Sequence, residues 1–136
     1  VVPNQQEPGA AGDELYEPGT VTVEHPAHGL AVVSLAGEHD LSTQPALTKA
    51  LDAAGERSSV LVDLSDCTFM DSTVIGSLLT SSRAARARDE LFAVVIPPER
   101  ANLSRLAEMT RLEEVFPVYT TLAAALVALA RSEPTS

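Results

Sequence analysis

From residue 20 onward the apolar positions fall into short alternating runs and longer periodic ones. Thr20 to Glu24 alternates in the manner of a half-buried strand, His25 to Gly29 carries turn residues, and Leu30 to Ala36 reads as a second strand, so the pair predicts a hairpin. Leu47, Ala50, Leu51 and Ala54 then recur at helical spacing behind a capping Ser42 or Thr43, with Pro45 in the first turn. Val60 to Leu64 is an unbroken apolar run of the kind that fills the middle of a covered sheet. Val74, Ile75, Leu78, Leu79 and Ala85 make the next helical stripe, and Arg83, Arg86 and Arg88 gather toward its end, where positive charge complements the helix dipole. Phe92 to Ile96 predicts a strand stopped by Pro97-Pro98, and Leu103, Leu106 and Ala107 a short helix. Val115 to Tyr119 predicts an edge strand that tolerates Pro117. Leu122, Ala123, Leu126 and Ala130 predict a last helix capped by Thr120 or Thr121. Alternation of strand and helix implies an α/β fold, and the hairpin at its start makes the sheet mixed.

The first nineteen residues break every period. Pro3, Pro8, Pro18, Gly9, Gly12 and Gly19 interrupt the pattern, while Glu7, Asp13, Glu14 and Glu17 add negative charge with no base among them. The reading is a flexible acidic extension over residues 1–19, one domain over 20–131 and a short tail over 132–136.

Composition narrows the function. A chain of 136 residues supports a single core, and with no tryptophan and 4% aromatics the interior must be built from Val, Leu, Ile and Ala. The net charge of −10, with one lysine and eight scattered arginines, argues against nucleic acid, whose phosphates need clustered positive charge, and favours a basic protein surface as partner. No apolar run reaches the roughly 18 residues of a membrane helix and no signal-like leader opens the chain, which places the expectation in the cytoplasm. Cys67 stands alone, so no intramolecular disulfide can form, and it reads as a small, partly buried residue at a strand end.

Chemistry concentrates where the Val60–Leu64 strand hands over to the helix of the Val74 stripe. Cys67-Thr68-Phe69-Met70-Asp71-Ser72-Thr73 places one acid and two neighbouring hydroxyls at a helix start, with Asp71 or Ser72 as N-cap beside backbone N–H groups that favour negative charge. On residue type alone Ser72 can be a cap or a phosphate acceptor. A hydrolase triad drawn from Asp71, Ser72 and His25, His28 or His39 lacks the Gly-x-Ser-x-Gly elbow and has no histidine after the serine. Three histidines and one cysteine do not have structural-zinc spacing, and no glycine-rich phosphate loop is present, so no enzyme, metal or cofactor is expected.

Two segments together, Gly37-Glu38-His39-Asp40 and Asp71-Ser72-Thr73-Val74-Ile75-Gly76, resemble the motifs of STAS-domain anti-sigma factor antagonists, and the likeness runs from about residue 20 to residue 131. Two positions depart from that pattern: His39, which as a lone histidine reads as exposed, stands where an aliphatic residue is usual, and Val74 where glycine is frequent. The resemblance implies a mixed sheet of about five strands with about four α-helices packed mainly on one face. It implies Ser72 as the phosphorylation site, and Glu38, Asp40, Asp71, Thr73, Val74, Ile75 and Gly76 as partner-binding residues. The implied partners are an anti-sigma factor with serine kinase activity, which releases a sigma factor when bound, and a phosphoserine phosphatase that resets the switch. The oligomeric state stays open, with a homodimer one arrangement allowed. The competing expectation within the same fold is a phosphorylation-independent scaffold or ligand-binding module of a signalling or transport complex.

Overall fold

The computed structural model describes residues 18–56 and 58–132. Most of the predicted extension, residues 1–17, and residues 133–136 of the tail lie outside the described residues. Five strands, β1 (Thr20–Ala27), β2 (Leu30–His39), β3 (Ser59–Met70), β4 (Phe92–Val95) and β5 (Val118–Tyr119), lie in the order of the chain. β1 runs antiparallel to β2, and every later pair is parallel. The helices are α1 (Gln44–Ala54), α2 (Ser72–Ala87), α3 (Ala101–Met109) and α4 (Leu122–Ser132).

Alternate residues of the central strands feed two separate cores. Val33, Leu35, Val60, Val62, Leu64 and Val94 face α1, α2 and α3, whose Leu47, Leu51, Leu78 and Leu103 complete the larger core. Val32, Leu61, Ala93 and Val95 face the other way, against Ala125 and Leu129 of α4. Burial on both faces is why β3 and β4 read as continuous apolar runs rather than as alternating ones. Three helices on one side and one on the other match the expected packing mainly on one face.

Three boundaries differ from the sequence expectation. β1 continues to Ala27, and the pairing shifts register between Glu24 and Ala27, where Pro26 has no N–H to give to a ladder. β3 runs on to Met70 instead of ending at Leu64, because the far half of β2 keeps pairing with it through two register shifts. The polar residues Ser65, Asp66 and Thr68 hide that continuation from any apolar pattern. β5 shrinks to two residues, since Leu112–Glu114 forms a 3-10 turn whose Leu112 carbonyl accepts from the N–H groups of Val115 and Phe116.

Candidate functional site

The extra length of β3 brings the two sequence segments together. Glu38 pairs with Phe69 and His39 with Met70, so Asp40 and Asp71 leave adjacent parallel strands at the same end of the sheet. The register shift between Gly37 and Glu38 needs Gly37 at φ 79°, a left-handed conformation that glycine adopts without strain. That fixes a backbone reason for the glycine that precedes Glu38. Arg100 Nε donates to the Ser65 carbonyl at 3.0 Å and Asn102 Nδ2 to the Thr68 carbonyl at 3.0 Å, which ties the irregular end of β3 to the start of α3.

Asp71 is the N-cap of α2. Its Oδ1 accepts from the Thr73 N–H at 3.0 Å and from the Thr73 hydroxyl at 2.5 Å, and its carbonyl accepts from the Val74 N–H at 3.1 Å. Ser72, the first helical residue, is exposed, and among the described residues nothing hydrogen-bonds its hydroxyl. The two neighbouring hydroxyls are therefore in different states, that of Thr73 engaged by Asp71 and that of Ser72 open to an incoming reagent. The cap already uses the Thr73 and Val74 N–H groups, which leaves fewer helix-start donors for a phosphate on Ser72 and sets it beside the Asp71 carboxylate.

Asp40 caps the 3-10 turn Leu41–Thr43 that leads into α1. Its Oδ1 accepts from the Ser42 N–H at 2.9 Å and the Ser42 hydroxyl at 2.6 Å, and its own N–H donates to Thr43 Oγ1 at 3.1 Å. The two bonds from Ser42, that of its hydroxyl first, hold the Asp40 carboxyl below its ordinary range. Thr43, one of the two residues expected to cap α1, is its N-cap, though without a side-chain hydrogen bond, and Asp40 caps the turn before it.

Not all the expected contact residues are available to a partner. Glu38, Asp40, Asp71 and Thr73 are half-buried and Gly76 is exposed, but Val74 and Ile75 are 0% and 4% exposed and pack in the larger core. Helical geometry turns both inward, so they hold α2 in place and offer no surface. His39, expected to be exposed, is fully buried. Its Nε2 lies 3.1 Å from the Thr20 carbonyl and 3.0 Å from that of Ala36, and its Nδ1 lies 3.1 Å from Thr43 Oγ1. Two acceptors at Nε2 assign the proton there. Two exposed apolar residues at this end, Leu41 and Phe69, escaped the sequence reading; the signal for Phe69 was its position beside Glu38, legible only once β3 is extended.

Cys67 is buried, and its thiol donates to the Phe69 carbonyl at 3.3 Å. Burial pushes the thiol up to about 11, from 9.0. A raised pKa favours the neutral thiol in the fold, so this contribution is full below pH 9 and is lost as pH rises from about 9 to about 11. Replacing Cys67 with Ala should flatten that alkaline limb of the stability profile, read by urea unfolding at pH 8 and pH 10.5; an unchanged slope would reject the assignment. Among the described residues no group of three His, Cys, Asp or Glu is placed to hold a metal ion, and no helix is long and apolar enough to cross a membrane.

A five-stranded mixed sheet with an acid-capped helix after β3 is the STAS arrangement. The family model described as "Mlab, STAS domain" matches residues 24–131, and the chain belongs to the STAS-domain family. An anti-sigma factor antagonist from Mycobacterium paratuberculosis is 31% identical, with a TM-score of 0.69 over 83% of this chain and 95% of that one. A putative anti-sigma factor antagonist from Thermotoga maritima (18% identity, TM-score 0.67, 84% and 94% covered) has the same fold. So has the anti-sigma factor antagonist SpoIIAA in its unphosphorylated form (16%, 0.65, 84% and 100%). No curated protein matches the sequence. STAS domains of this type are typically non-catalytic.

Proposed function

We propose that this protein is an anti-sigma factor antagonist that works as a phosphorylation switch. The unphosphorylated form binds an anti-sigma factor with serine kinase activity and frees a sigma factor; phosphorylation of Ser72 ends the binding, and a phosphoserine phosphatase restores it. The observation that carries this reading is the exposed, unengaged hydroxyl of Ser72 beside Asp71, on a surface where Glu38 and Asp40 also meet. Phosphate adds about −1.5 to −2 charge. Next to the Asp71 carboxylate, and with the Thr73 and Val74 N–H groups already bonded, that charge bears on whatever is docked. The 31% identity to an anti-sigma factor antagonist supports the partner class.

The test is intact mass and peptide mapping after incubation with ATP and each anti-sigma serine kinase of the same genome. A gain of one phosphate, absent in Ser72→Ala, is expected. A kinase that binds tightly yet leaves Ser72 unmodified would move the conclusion to a phosphorylation-independent binding module.

Gly76 adds a separate prediction. It lies one turn after Ser72, a Cβ built there would meet nothing within 4 Å, and it lines a groove of about 540 Å³ between α1 and α2 with Thr48, Asp52 and Thr80. Nothing in the described chain calls for glycine at this helical position, where it costs about 0.5–1 kcal/mol against alanine. Gly76→Ala should raise the melting temperature while weakening the kinase complex. Higher stability with unchanged affinity would remove Gly76 from the contact surface.

A further inference from the structure

Five large apolar residues are exposed among the described residues, and two of them, Leu41 at 65% and Phe69 at 43%, stand at the Ser72 end of the sheet. Val23, Met109 and Val127 lie singly on β1, at the end of α3 and on α4, as scattered surface residues do. Leu41 and Phe69 are held out by built features rather than by loose loops. Leu41 rides on the 3-10 turn that Asp40 caps through Ser42 and that Thr43 fastens to the buried His39. Phe69 sits at the register shift where Thr68 has no partner in β2, a distortion of the kind that re-aims a side chain, and the Thr68 carbonyl is secured by Asn102. Acids flank both: Glu38 is the strand partner of Phe69, Asp71 follows Phe69 by two residues, and Asp40 precedes Leu41.

We propose that Leu41 and Phe69 are the apolar anchors by which the partner kinase docks, seated in apolar recesses of a surface whose rim carries Lys and Arg. The proposal rests on the phosphorylation-switch reading and says where the binding energy lies and which chemistry meets it. Interfaces concentrate their energy in a few well-packed side chains, while rim charges steer the encounter and set its salt dependence. Charge selects the occupant. A second copy would bring the same flanking acids and the same net charge of −10 against itself, and nucleic acid is repelled for the same reason. A basic-rimmed protein is attracted, and a phosphate on Ser72 beside the anchors would be felt by it directly.

The test measures association and dissociation rates of the kinase that phosphorylates the wild-type protein, at two salt concentrations, for Leu41→Ala, Phe69→Ala and Glu38→Gln. Leu41→Ala and Phe69→Ala should each speed dissociation about 10-fold or more with the association rate and its salt dependence kept, and should raise the KM for Ser72 phosphorylation. Glu38→Gln should slow association and weaken its salt dependence instead. Thermal melts check the fold; Leu41 is so exposed that its variant reports on docking even if Phe69→Ala is destabilised. Wild-type dissociation rates in a folded Leu41→Ala would overturn the proposal while leaving the switch intact. So would loss of self-association with kinase affinity unchanged, since the occupant would then be a second copy. A wild-type protein that no anti-sigma kinase binds or phosphorylates would overturn the switch reading, and this proposal with it.

Discussion

Ser72→Asp is expected to weaken binding to the anti-sigma kinase by about 100-fold, equivalent to about 2.7 kcal/mol, with the melting temperature left within a degree or two of wild type. The two halves of that result have separate causes. Binding falls because a carboxylate at position 72, beside Asp71, must lose its water inside the contact, where the partner's recesses are apolar and its cations stand only at the rim. Stability holds because Ser72 is exposed and the cap belongs to Asp71, whose bonds to Thr73 do not involve the serine hydroxyl. A negative group in the first turn of a helix is mildly favourable, by about 0.3–1 kcal/mol. A complete shift from mostly bound to mostly free needs about 5.5 kcal/mol, so the dianion of a true phosphate must exceed the aspartate. Ser72→Asn, isosteric and uncharged, is the control and should bind nearly as the wild type does. Isothermal titration of the three proteins decides the matter: equal weakening by Asn and Asp would mean that shape, not charge, is read at this position, and full binding by Asp would end the switch hypothesis.

The sheet was legible in the sequence wherever burial is uniform. Val60–Leu64 and Phe92–Ile96 announce themselves because both faces of those strands are covered, and the helical stripes of α1 and α2 because one face of each is. Local capping was legible in part: Asp71 was one of two candidates for α2, and Thr121 one of two for α4, where its hydroxyl accepts from the Ala124 N–H at 3.1 Å.

What stayed hidden has one physical origin, the polar second half of β3. Ser65, Asp66 and Thr68 break the apolar run, so pattern alone ends the strand six residues early and leaves Phe69 in a loop of no particular direction. Only the parallel pairing with β2, a long-range contact, shows that Phe69 lies beside Glu38 and is pushed outward. The inward turn of Val74 and Ile75 follows from helix phase, which residue identity within a motif does not convey. His39 was misread for a similar reason. An isolated histidine next to two acids looks like surface, yet its position on β2 directs it into a gap that the start of β1 closes.

That gap yields the second large effect. His39→Ala should destabilise the domain by about 2–4 kcal/mol, and His39→Leu by about 1–3 kcal/mol, the difference measuring lost packing and the remainder lost hydrogen bonds. In the native protein the ring is fully buried, and its Nε2–H is shared between the carbonyls of Thr20 and Ala36 while Nδ1 faces the hydroxyl of Thr43. One side chain thus joins the first residue of β1, the interior of β2 and the turn that carries Leu41. Leucine fills the space but leaves a donor and an acceptor role empty at a site that excludes water, the costly half of removing a hydrogen bond. The fit is close: a Cβ on Gly19 would collide with the Glu38 carbonyl oxygen and touch the edge of the His39 ring, so Gly19→Ala should destabilise the same junction by a different route. Urea unfolding gives the energies, and hydrogen exchange gives the location. In His39→Leu the amides of residues 40–43 should lose protection well before those of β3 and β4. If stability fell with exchange in that turn unchanged, His39 would be ordinary core; if His39→Leu were as stable as wild type, the aliphatic residue usual in the family would serve this junction equally well.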